Sequence, residues 1–365
     1  MLGYYPKDKT AEGRERKIRI EVDRENAKLD YRKSYYEDLA FVHMSKRQRQ
    51  RNLEELVLSD TSFTDLFLET AFHFYRGDDG KPVLAYNTAI LPGASWTLPD
   101  DGSRKLHYTF VASMGEVNGG QKPIYDGLVF DRTFTAKEWD RLRTDPTSLL
   151  QFPSSISLPA GEYIWKAIVR DERTGDVGTY RSRVVVPEFV DEASPSSLLL
   201  TRQVVEPGLT NGRKAAQVEQ AGVIRFGDVG FLLNPENVYP VGTSLFFLYD
   251  LYNVAPSFAT EPPAPRVFLI TGDKMLESPP FEGFEAQALP GRPDVRYAGS
   301  LNTKNLSPGD YTLIFRLPNS ETGISREFRL QSPDGPQSEM GQAEALPEWL
   351  RITSTWGSDT AFTED

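Results

Sequence analysis

Leu158-Pro159-Ala160-Gly161-Glu162-Tyr163 runs into Ile164-Trp165-Lys166-Ala167-Ile168-Val169-Arg170, and 148 residues later Leu306-Ser307-Pro308-Gly309-Asp310-Tyr311 runs into Thr312-Leu313-Ile314-Phe315-Arg316-Leu317. The turn that follows, Thr174-Gly175, returns at the same offset as Thr322-Gly323. Pro presets φ and Gly tolerates positive φ, so each copy opens on a tight turn. Behind the turn, Tyr163, Trp165, Ala167 and Val169 fall on one face of an alternating strand, and Tyr311, Leu313, Phe315 and Leu317 match them. Turn, tyrosine, strand and turn repeated in register mean two copies of one β-unit.

A tyrosine at the start of a late strand, just past a corner, is the arrangement of the tyrosine corner in immunoglobulin-like sandwiches. There the ring packs inward and the hydroxyl bonds backbone a few residues upstream. Tyr163 and Tyr311 are the two candidates. The fold expected is mainly β: two immunoglobulin- or fibronectin-III-like β-sandwich domains in tandem, preceded by a short β-unit and a linker helix.

The totals agree with that class. At 365 residues the chain exceeds one typical domain, and 28 Gly with 26 Pro suit a turn-rich β protein. A net charge of -11 argues against nucleic acid, whose phosphates need a basic face. There is no cysteine, so disulfides, thiolate metal sites and cysteine nucleophiles are excluded. No apolar run is long enough to span a membrane, and no signal peptide stands at the start of this chain. A strand-like Leu2-Gly3-Tyr4-Tyr5-Pro6 directly after Met1 suggests a piece of something longer.

Taken in order, residues 1–36 read as a short β-unit with an alternating Arg16–Val22, and residues 37–58 as a helix offering Leu39, Val42, Leu53, Leu56 and Val57 for packing. Its basic run, Lys46-Arg47-Gln48-Arg49-Gln50-Arg51, reads as a solvated face. Residues 59–190 form the first sandwich, with strands expected at Leu66–Tyr75, Pro82–Ile90, Lys105–Ser113, Gly127–Phe134, Glu162–Asp171 and Gly178–Val186. Arg76-Gly77-Asp78-Asp79-Gly80 is a hairpin turn by composition, and Thr135 with Glu138 is a capping box opening a short helix. Val190–Ser197 reads as a linker. Residues 191–332 form the second sandwich, with strands at Leu198–Val205, Leu245–Tyr252, Arg266–Thr271, Asp310–Leu317 and Ile324–Leu330. Leu245–Leu251 is apolar on both faces, as a central strand would be. Residues 333–365 are acidic and read as a mostly disordered tail.

Leu2-Gly3-Tyr4-Tyr5-Pro6, Gly13, Arg16-Lys17-Ile18, Val22, Arg24 and Tyr31-Arg32-Lys33-Ser34-Tyr35-Tyr36 resemble the closing segment of the von Willebrand factor A-related domain of the Acidobacterial type. Where that family has Gly between Lys and the tyrosine pair, this chain has Ser34. The resemblance implies a truncated α/β domain followed by a β-rich C-terminal region, in a protein that works outside the cytoplasm. The family's metal site needs Asp-x-Ser-x-Ser after a buried strand. Asp60-Thr61-Ser62-Phe63-Thr64 ends in Thr and follows a charged helix, so it reads as a turn opening the next strand.

Chemistry-bearing motifs are scarce. His43, His73 and His107 are the only histidines, and alternation points His73 and His107 away from their own core. No nucleophile elbow, phosphate loop or zinc helix occurs. Asp78-Asp79 and Asp100-Asp101 stand beside Gly in turns, with weak calcium binding the lesser reading. Trp96 and Trp356 are the candidates for a sugar platform. The function expected is therefore a non-enzymatic region that docks another protein, with no cofactor or metal. A carbohydrate-binding module is the alternative, and a hydrolase with a site assembled between domains the third.

Overall fold

The computed structural model describes residues 15–17, 34–36, 41–91, 98, 103–117, 122–144, 150–189, 193–202, 204–205, 223–227, 229–255, 257–258, 262, 264–277, 279, 281–289, 291–316 and 323–332. Near the start, β1 (Glu15–Lys17) and β2 (Ser34–Tyr36) pair antiparallel.

A 3-10 turn at Phe41–His43 leads into α1 (Lys46–Leu58). The expected helix starts later than its pattern allowed, because Ser45 and Gln48 close a capping box: Ser45 N–H donates to Gln48 Oε1 at 2.9 Å and Gln48 N–H to Ser45 Oγ at 3.4 Å. Leu53 and Leu56 are buried against Ile168 and Val177, with Val57, Phe63 and Val111 at the margin. Val42 does not pack and is exposed. Leu39 lies outside the described residues.

The first lobe contains β3 (Phe67–Arg76), β4 (Pro82–Leu91), β5 (Lys105–Glu116), β6 (Ile124–Thr133), α2 (Ala136–Thr144), β7 (Gln151–Ser157), β8 (Gly161–Asp171) and β9 (Val177–Val186). A three-stranded sheet, β3-β4-β7, faces a four-stranded one, β6-β5-β8-β9. Seven strands ordered in this way make the fibronectin-III variant of the immunoglobulin-like sandwich. Between the sheets lie Phe72, Tyr86, Phe110, Phe130, Phe152 and Trp165. The Tyr86 and Trp165 rings are 4.4 Å apart, and Phe110 stacks on Phe152 at 5.2 Å. Burying such rings contributes roughly 2–3 kcal/mol each before ordering costs. The expected turn after β3 closes with Gly77 N–H donating to Lys81 O at 2.8 Å. The expected capping box opens α2, with Thr135 N–H donating to Glu138 Oε2 at 2.9 Å.

Within Val190–Ser197, read above as a linker, β10 (Ser194–Pro195) already pairs with a central strand and is buried. Next come β11 (Leu199–Thr201), β12 (Val204–Val205), β13 (Val223–Phe226), β14 (Val229–Leu232), β15 (Val238–Pro240), β16 (Ser244–Tyr252), β17 (Arg266–Thr271), β18 (Lys274–Glu277), β19 (Phe281–Ala288), β20 (Val295–Asn302), β21 (Gly309–Arg316) and β22 (Gly323–Gln331). One sheet runs β10-β16-β20-β19, with β11 also on β16; the other runs β15-β22-β21-β17-β18, where β15 pairs β22 in parallel. A small sheet, β12-β14-β13, is inserted before β15. Between the two large sheets lie Tyr239, Phe247, Tyr249, Tyr297, Phe315 and Phe328. Both lobes are therefore immunoglobulin-like sandwiches.

Candidate functional site

The two repeated turns place their tyrosines alike. Tyr163 opens β8 and Tyr311 opens β21; each ring is buried. Tyr163 Oη donates to Pro159 O at 3.0 Å, and Tyr311 Oη donates to Ser307 O at 2.7 Å, four residues upstream in both cases. The glycine two positions before each ring has the same backbone, φ +156° at Gly161 and +155° at Gly309. These are corners that hold a fold, and neither hydroxyl is offered to a ligand. Trp96 and Trp356 lie outside the described residues. Trp139 and Trp165 are buried in the first lobe.

The histidines separate. His43 and His107 are exposed. His73 does face away from its own core, yet it is fully buried, because the second lobe covers that face. Its Nδ1 lies 2.9 Å from Ser197 Oγ, which also accepts from Phe74 N–H at 2.7 Å. The opposite ring nitrogen, Nε2, has no hydrogen-bond partner among the described residues. Burial, aided by the nearby Arg296 and Arg326 cations, lowers the imidazole pKa to about 3. A serine beside a histidine resembles a nucleophile with its base. A working base, however, needs a pKa near the operating pH and a third group to orient it. This one is fully buried and neutral, and no third group orients it among the described residues, so the pair reads as a buried junction.

That junction belongs to a continuous seam. Ala71 and Ala85 of the first lobe cluster with Leu199, Leu248 and Ala298 of the second, together with Ile224 and Phe231 of the inserted sheet and Leu233 just after it. The short alanine side chains let the outer faces of two sheets approach. Around this apolar patch runs a polar border. Arg76 donates from Nη2 to Asp294 Oδ1 at 2.5 Å, from Nη1 to Asn253 Oδ1 at 3.0 Å, and from its backbone N–H to Tyr252 Oη at 2.8 Å. Asp250 takes a two-pronged bond from Arg296, at 2.6 and 2.8 Å, and one from Tyr252 Oη at 3.1 Å. Arg292 reaches Gly77 O at 2.9 Å and the Asp78 carboxylate. Asn87 Nδ2 donates to Leu233 O at 2.7 Å. Asp78 is thus an anchor between lobes, and Asp79 pairs with Lys81. Asp100 and Asp101 lie outside the described residues.

Asp60, the first member of the metal-like stretch, pairs with Arg181 at 3.2 Å. Phe63 N–H bonds Thr179 Oγ1 at 2.9 Å, and Thr64 bridges Gly178 along the free side of β9. Gly178 is required there, since a Cβ would come within 2.3 Å of Leu66 O. Among the described residues, no group of three or more His, Asp and Glu side chains converges as metal ligands would. No helix among them is long and apolar enough to cross a membrane.

No protein-family model matches this chain, and no curated protein matches it. Among solved structures, a tandem pair of titin immunoglobulin domains aligns with 73% of this chain and 98% of its own length, at 10% identity and a TM-score of 0.17. The strand order, rather than that alignment, carries the fold assignment.

What remains open to a partner is sheet edge. β9 is covered by the 60–66 segment, β3 is bonded at Phe74 to Ser197, and β7 carries Pro153. β15 spans three residues and contains Pro240, β18 spans four, and β19 is broken by a bulge between Glu282 and Glu285. Such devices are how sheets avoid edge pairing. β6 has no proline and no bulge, and its inward charges, Asp126 and Arg132, are taken up within the lobe by Tyr86, Ser154 and Glu138. It runs ten residues without proline, pairs with β5 in unbroken register from Met114–Ile124 to Lys105–Thr133, and no other described strand pairs with it. Tyr125 and Val129 stand on its outward face at 50% and 58% exposure.

Proposed function

We propose that this chain is a non-enzymatic, rigid β-sandwich region that docks another polypeptide along an exposed sheet edge. The observation that carries the reading is β6: a ten-residue, proline-free strand that pairs on one side only among the described strands, with Tyr125 and Val129 exposed on its outward face. An extended segment laid on such an edge gains backbone hydrogen bonds for affinity and side-chain contacts for selectivity. The interlobe seam supports the same reading, because lobes locked together hold an edge in fixed orientation and reduce the ordering cost of binding. The resemblance of residues 2–36 to the closing segment of von Willebrand factor A-related domains supports a place in such a protein, with adhesion or spacing outside the cytoplasm as the setting.

A photo-reactive amino acid at position 129, in the cells that make the protein, tests this reading. The expected result is a discrete polypeptide adduct, absent when the label sits at Asp273 on an exposed turn of the second lobe. Adducts with glycan alone, or equal yields at both positions, would overturn it.

A further inference from the structure

We draw no further inference here: the strongest candidate, the Glu69 carboxyl on the seam face of β3 with Glu236 of the second lobe close by, rests on its raised pKa alone, with nothing in the structure to show what its ionisation would move.

Discussion

At the scale of single residues, the corner tyrosines and the buried histidine make separate demands. Replacing Tyr163 or Tyr311 by Phe removes one hydrogen bond to backbone and leaves the ring in place. Each change should lower stability by about 1 kcal/mol in denaturant titrations, and the two should add because they sit in different lobes. His73 and Glu69 respond to pH in opposite senses. The unfolded imidazole takes its proton near 6.5 and the folded one only near 3, so folding stability should fall as the pH drops through that interval. Burial, with Glu236 close by, raises the Glu69 carboxyl from 4.5 to about 7. The folded state then holds a proton that the unfolded state has lost, and stability should fall as the pH rises between those values. Between about 4.5 and 6.5 the two trends oppose each other. Thermal melts should show His73→Gln flattening the acid limb below that range, and Glu69→Gln the limb approaching pH 7. Alternation in the sequence was enough to turn His73 away from its own core. It carried no word of the second lobe above it, because that contact joins residues more than a hundred positions apart.

At the scale of elements, α1 shows how a helix that reads as a linker becomes a lid. Its buried pair, Leu53 and Leu56, covers Ile168 and Val177 on the outer face of β8 and β9. Lys166, from the same face, donates to Leu56 O at 2.8 Å and Val57 O at 3.3 Å, satisfying carbonyls that the helix end leaves open. Lys166→Met keeps the aliphatic stem and removes the donor. It should cost about 1 kcal/mol and speed amide exchange in the last turn of α1, with β8 unaffected. Strands with dense apolar alternation, such as β8 and β21, were legible from sequence to within a residue. β7 and β20 were not. β7 carries Pro153 and a serine pair, and β20 carries Arg296 and Gly299, which dilute a periodic signal. Arg296 belongs there because Asp250, a charge inside the otherwise apolar β16, awaits it. That single acid in a buried strand was the available sign of an ion pair.

At the scale of the molecule, the sequence showed two lobes in tandem, while the structure shows them face to face. The apolar character of β16 on both sides had a second meaning. One face fills its own core with Phe247 and Tyr249, and the other presents Leu248 and Asp250 to the first lobe. A strand buried on both faces reports either a sheet covered twice within one domain or a domain covered by another, and periodicity alone does not separate these. Breaking the ion pair that borders the seam, within the second lobe, should be costly. Asp250→Asn leaves the Arg296 guanidinium buried without its counter-charge, a change worth about 3–5 kcal/mol, whereas paired replacement by apolar residues should cost far less. The two lobes form one body across the seam, and scanning calorimetry tests that directly. Wild type should melt in a single transition whose calorimetric and van 't Hoff enthalpies agree, and Leu248→Asp should split it into two. Two independent transitions in the wild-type protein, unmoved by Leu248→Asp, would contradict the fused arrangement.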